Sequence, residues 1–396
     1  MSLSTFHGTR RVEASTTPGA AISQDDPSSR LLSIDVMRGI TVGFMILVNN
    51  NGQNDMAYRA MNHSPWNGFT PTDLVFPTFL FIMGISIVFS FGARKARATE
   101  KSTLLVHILR RFVLLVLLGL VVNGFPYFHL ETLRIYGVLQ RIAVCYLLAS
   151  LLQLLTDRLA PRIALLTFAL AGYWVLLRWV PVPGQGMPGR DFPLLDPNIN
   201  LTAYIDRHDF PHRLFEGTRD PEGLLSDLPS FASTLLGMIA GWYLKSSQSA
   251  LAKLEGLTIS GVLLLAAGLL WAQSFPLNKK LWTSSYVLYA GGWSVLILAA
   301  CYFALEIRRW KGRWTYPWLV FGTNAITAYV LSELLSSAVA VFHVNPRQSF
   351  QEFVYSGFFY HIGSPAFGSL VYSIVFAAIC WVPAWLLYRR HIFIKL

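Results

Sequence analysis

The stretch richest in chemistry runs from His63 to Asp73 and reads HSPWNGFTPTD. An imidazole with an ordinary pKa near 6.5 exchanges protons at working pH, so His63 is a candidate base. Just upstream, LVNNNGQ closes an apolar run with Asn49, Asn50 and Asn51, amides that either end a helix or donate to a carbonyl oxygen. Asp35 and Arg38 stand three apart, a spacing at which they pair on one helix face. Farther on come Gln140 and Arg141, about two turns into an apolar segment. An arginine at membrane depth is costly unless paired or facing water, and Asp73 is its most reachable partner. Lys279, Lys280 and Trp282 cluster in LNKKLW. Plainer roles compete for each. Thr70 or Thr72 suits a helix cap, Pro71 an early helical position and Asp73 the first turn. Trp66 suits an interfacial belt, and a lone interfacial histidine is more often a bystander.

The elements that must position these groups are transmembrane helices. Of 396 residues 54% are hydrophobic and only 13% charged, and the mean hydropathy is +0.46. Soluble domains carry about twice that charge, so a soluble protein, a disordered chain and a nucleic-acid binder are excluded. Cys145, Cys301 and Cys380 lie in apolar stretches, with no CxxC and no histidine at ligand spacing; they read as buried thiols, and no metal is expected. Apolar segments near 34–51, 71–92, 104–124, 135–156, 163–181, 227–245, 254–274, 284–306, 316–342 and 366–388 approach the roughly 20 residues that span a bilayer. The expected fold is therefore an all-α polytopic membrane protein of about ten transmembrane helices.

Ten spans leave both termini on one side. The net charge of +11 falls mainly in connections after even-numbered spans, among them Arg94, Lys95, Arg97, Lys101, Arg158, Arg162, Lys245, Lys253, Arg308, Arg309, Lys311 and Arg313. By the positive-inside rule those loops and both termini are cytoplasmic, and Lys279 and Lys280 run against the rule. Residues 1–30 are expected to be a disordered cytoplasmic tail, and 31–396 the transmembrane domain, with 182–226 a long periplasmic loop.

The strings RLLSIDVMRG, LVNNNG and HSPWNGFTPTDLVFPTFLFIMGISI together resemble the heparan-α-glucosaminide N-acetyltransferase family of transmembrane acyltransferases. The likeness continues through RIYGVLQRIAVCYL, DPEGLLSDLPSFASTLLGMIAG, LNKKLWTSSYVLY and YPWLVFGTNAITAYV, most of the chain beyond residue 30. It implies transfer of acetyl from cytoplasmic acetyl-CoA, a co-substrate, to the amine of glucosamine or a glucosamine-containing saccharide. Its catalytic histidine maps onto His63 and its asparagine onto Asn49. Expected substrate contacts are Trp66, Asn67, Asp73, Gln140, Arg141, Asn278, Lys280 and Trp282, and expected CoA contacts are Arg38 and Asn324. The short segment ahead of the first motif, where lysosomal members carry a large luminal segment and a further span, suggests a bacterial inner-membrane member. The lipid bilayer is the other expected partner, a homodimer is admitted, and no nucleic acid is expected. The alternatives are an amino-sugar transporter and an O-acyltransferase of a cell-surface polysaccharide; acetylation of glucosamine by membranes given acetyl-CoA separates them.

Overall fold

A computed structural model describes residues 31–96 and 100–394; the expected tail, 1–30, lies outside the described residues. In chain order the helices are α1 (Leu32–Asn49), α2 (Val75–Ala96), α3 (Lys101–Gly124), α4 (Val138–Leu155), α5 (Leu159–Trp179), α6 (Leu201–Asp209) and α7 (Asp227–Leu244). They continue as α8 (Ala250–Ala272), α9 (Ser284–Tyr302), α10 (Tyr316–Thr323), α11 (Ala325–Val341), α12 (Phe350–Val354) and α13 (Pro365–Arg389). Strands β1 (His343–Asn345) and β2 (Gln348–Ser349) form one short antiparallel hairpin. Among the described residues nine helices are long and apolar enough to cross a membrane, or ten if one bent pair is counted as a single span. An α-helix satisfies its own backbone polar groups, which is what hydrocarbon demands.

The helices sort into an inner and an outer set. The apolar windows of α1, α2 and α7 are 67, 78 and 72% buried within the protein, against 17% for α3 and α8. Small residues let the inner helices approach closely. A Cβ built on Gly84 of α2 would lie 2.1 Å from the Thr234 carbonyl oxygen, and one on Gly237 of α7 would lie 1.9 Å from that of Phe81. Only glycine permits this crossing. Cys145 and Cys380 are buried free thiols and Cys301 is a half-buried one.

Two sequence expectations are corrected, and the long loop 182–226 gains internal structure. The apolar run 316–342 is not one straight span: α10 and α11 meet at 76°, broken at Asn324 (φ −121°, ψ 41°). The Asn324 carboxamide donates to the Ile392 carbonyl at 3.2 Å and accepts from the Ile394 N–H at 3.0 Å, so a polar side chain tied to the C-terminal segment competes with helix continuation. The fourth span begins at Val138, which puts Gln140 and Arg141 in its first turn rather than two turns in. Segment 182–226 is folded: it holds α6, and Val182, Leu195 and Leu201 pack with Tyr173, Leu177, Phe275 and Leu281 into a second apolar core. That core anchors it over one end of the bundle.

Candidate functional site

The site is assembled where α2 begins. Its entry is a 3-10 turn, Pro71–Leu74, in which Asp73 Oδ2 accepts from the Thr70 N–H (2.9 Å), the Ser64 N–H (3.2 Å) and the Thr70 hydroxyl (3.1 Å). The other carboxylate oxygen, Oδ1, lies 2.7 Å from His63 Nδ1. Asp73 is fully buried, while the His63 side chain is 39% exposed. An ionised carboxylate only accepts, so the bond places the imidazole proton on Nδ1 and leaves Nε2 with a lone pair. A fixed charge thus orients a ring that opens to the outside.

Two forces act on the His63 pKa. Burial, and next the Lys279 ammonium, disfavour the imidazolium, while the hydrogen bond and charge of Asp73 favour it; the result lies below the ordinary histidine value. The ring is accordingly neutral, and able to take a proton, at neutral pH. Burial also depresses the Lys279 pKa, against the opposing pull of Glu222 and Asp73. Glu222 in turn accepts from Arg134 Nη2 at 2.5 Å, and its carboxyl is held below the usual range by the Arg134 and Lys279 cations, against the opposing effect of burial. Arg134 also grips Asp220 through Nε (2.8 Å) and Nη2 (2.5 Å).

The motif segment docks on the loop before α9. Gly68 N–H donates to the Leu277 carbonyl (2.8 Å), and Asn278 Nδ2 donates to Asn67 Oδ1 (3.1 Å). Tyr286 Oη donates to the Asp73 carbonyl at 2.6 Å. Trp66 Nε1 donates to the Leu195 carbonyl (2.7 Å), and Arg219 stacks over its ring at 4.7 Å, which ties the folded 182–226 segment to the histidine. Lys280 pairs with Glu216 at 2.8 Å. Trp282 is fully buried behind Phe76 and Tyr286 and donates to Ser233, so it supports the site from inside.

The expected Asp73–Arg141 pairing is not formed. Arg141 Nε donates to Asp227 Oδ1 at 2.9 Å, and Nη2 donates to Ser226 and the Gly223 carbonyl. The start of α7 supplies a carboxylate directly beside the first turn of α4, and Asp73 is left for His63. Gln140 packs its amide against Gly119 and Gly137. Asn49, at the exposed end of α1, reaches the Glu333 carboxyl of α11 within hydrogen-bonding range. Asp35 and Arg38 pair at 2.9 Å as their spacing predicts, and the Arg38 fork also donates to the Gly322 carbonyl and Ser86. It therefore fastens α1 to α2 and α10. Sequence reasoning missed Arg134, Glu222 and Glu333. The first two stand in the strings RIYG and DPEG, but nothing local joins residues 88 apart; Glu333 is one acid in an apolar run.

The fold and site define a multi-pass helical membrane protein with a carboxylate-oriented histidine at one end of its inner helices. The sequence family described as "Heparan-alpha-glucosaminide N-acetyltransferase, catalytic" matches residues 30–187. It is 30% identical to the Heparan-alpha-glucosaminide N-acetyltransferase of Homo sapiens over an alignment of 420 residues, which covers 93% of this chain and 60% of the human protein. Its identity to the Mus musculus protein of the same name is 28%, covering 93% of this chain and 61% of the relative. The chain thus spans about three fifths of the length of these curated relatives.

Proposed function

We propose that this protein is a transmembrane N-acetyltransferase that moves acetyl from acetyl-CoA to the amine of a glucosamine-type sugar, with His63 as general base. The observation that carries the reading is the 2.7 Å bond from His63 Nδ1 to the fully buried Asp73, which leaves Nε2 to take a proton from the acceptor amine. The similarity to that family supports the reaction class.

Amine attack on a thioester carbonyl moves negative charge onto the carbonyl oxygen, forms the C–N bond and expels the CoA thiolate. Asn49 orients the carbonyl, and the Lys279 cation, whose charge acts on His63, favours the charge that develops. Neutral His63 takes the ammonium proton before attack, or the amine proton as the C–N bond forms. The arm of acetyl-CoA enters from the far side of the membrane. A small apolar cavity of about 10 Å³ between α1, α2, α4 and α11, lined by Met45, Phe76, Phe79 and Tyr329, lies one turn below Asn49; the pantetheine chain would have to part these side chains to reach the site. Arg38 lies about 16 Å from Asn49 along α1 at 1.5 Å per residue, and Asn324 neighbours it; these are the residues we assign to the CoA end. The acceptor meets Trp66, Asn67, Asn278 and Lys280 on the exposed side, with Gln140, Arg141 and Trp282 behind.

Transfer is direct, within a ternary complex, because acetyl-imidazole beside water hydrolyses readily. The positive-inside pattern places both termini in the cytoplasm and His63 on the periplasmic side of a bacterial inner membrane. The testing experiment gives acetyl-CoA and glucosamine to proteoliposomes of wild type and of His63→Ala. N-acetylglucosamine from wild type alone supports the reading; equal product from both refutes the role of His63.

A further inference from the structure

A cavity of about 530 Å³ lies away from His63. It is lined by Val88, Gly92, Gln153, Asp157, Arg162, Trp242, Lys245 and Ser246, where α2, α4 and α7 end and α5 begins. Gly92 is 19 residues beyond Asp73, about 28 Å along α2, which is close to the roughly 30 Å hydrocarbon thickness of a bilayer. The cavity therefore sits at the opposite membrane face from the candidate active site, and an extended pantetheine arm is too short to join the two. It is also separate from Arg38. That residue bonds Ser86, and at 3.6 residues per turn Val88 and Gly92 lie about 160° and 120° around α2 from Ser86.

Its walls carry unused donors. Arg162 is fully buried, and its Nη2 donates to Gln153 Oε1 at 2.7 Å. Among the described residues its Nε and Nη1 have no hydrogen-bond partner, nor has the Ser246 hydroxyl. Gln153 passes its own N–H to Asp157 at 2.6 Å, and the Asp157 charge also acts on the Arg162 guanidinium, offsetting part of the positive charge at the cavity. The Lys245 ammonium lies over Gly92, 2.1 Å from where a Cβ would stand, so glycine there keeps the cation in place. Nothing caps the first turn of α5 with a side chain, which leaves its positive end beside Arg162. Buried donors without partners cost about 1–3 kcal/mol each, and a guanidinium costs more. Trp242, which also lines the cavity, is 38% exposed.

We propose that this cavity is a binding site for a phosphate group, supplied by the headgroup of an anionic phospholipid in the leaflet that faces it. Arg162, Lys245 and Ser246 hold the phosphate oxygens, and Trp242 packs against the glycerol and upper acyl chain. Basic pockets between helices on the cytoplasmic side suit such headgroups, at about 1 kcal/mol per basic residue.

The test uses the full chain in nanodiscs of phosphatidylcholine with and without phosphatidylglycerol, followed by native mass spectrometry after gentle detergent release. The wild type is expected to retain one phosphatidylglycerol, and Lys245→Gln to retain about fivefold less, equivalent to about 1 kcal/mol. Arg162→Gln is expected to lose it altogether; since that change is buried, the exposed Lys245 variant keeps the test valid if Arg162→Gln does not fold. A second arm adds inorganic phosphate to delipidated protein and follows thermal unfolding. Stabilisation there, abolished in Lys245→Gln with no lipid retained, supports the phosphate site and moves its source to a soluble anion. Equal retention of both lipids, or of phosphatidylglycerol by wild type and Lys245→Gln, together with no response to phosphate, overturns the proposal and leaves the cavity to water.

Discussion

His63 and Asp73 sit ten residues apart on a loop and a helical entry, and the chemistry follows from which of them is fixed. The carboxylate is bonded on both oxygens and buried, so it selects the Nδ1–H tautomer of a ring free to meet substrate. Asp73→Asn removes the charge and allows the wrong tautomer. Acetyl transfer is expected to fall by about 10²–10⁴-fold in kcat while the acetyl-CoA KM changes little, as steady-state kinetics will read. Asn49→Ala is expected to lower kcat by about 10²-fold or more, with acetyl-CoA binding by calorimetry close to wild type. The acid limb of the pH–rate profile should fall below the ordinary histidine value, because protonated His63 cannot act as base and its pKa is lowered. Lys279→Met removes a cation that disfavours the imidazolium, so it should move that limb to higher pH; an unmoved limb would contradict the assignment of His63 as the titrating base. The histidine itself was legible from its motif string. Its partner was not, because Asp73 also reads as a first-turn charge, and Arg141 finds Asp227, 86 residues away, only once α4 and α7 pack.

At the level of elements, apolar runs marked every crossing to within a few residues, since length and hydropathy are what the bilayer selects. The break at Asn324 escaped that reading, because one asparagine hardly lowers the hydropathy of a window, and its bonds go to residues 68 and 70 positions away. Segment 182–226 escaped it too: its order comes from a small core shared with α5 and the loop before α9, contacts that are distant in sequence. The close contact of α2 with α7 makes its own prediction. Gly84→Leu should push α2 off α7 and lower the thermal unfolding midpoint in detergent, by about 1–3 kcal/mol or more of stability, because backbone and not a flexible side chain stands in the way. A variant as stable as wild type would mean that the helices do not cross so closely.

For the whole molecule, nine candidate crossings among the described residues, with the bent pair counted as a tenth, lead to the expectation of both termini on one face and His63 on the other. Tags at residues 1 and 396 should therefore share one accessibility in sealed vesicles, the cytoplasmic one if the basic loops set orientation. Under the proposed function, such a layout would separate the acetyl donor from its acceptor by a membrane. The most direct test of the account loads proteoliposomes with glucosamine, orients them so that His63 faces the lumen, and adds labelled acetyl-CoA outside. Wild type is predicted to accumulate labelled N-acetylglucosamine inside, and His63→Ala, folded to the same thermal midpoint, to accumulate none. Product formed equally by His63→Ala, or label that leaves acetyl-CoA only when glucosamine shares its compartment, would contradict a His63-catalysed transfer across the membrane.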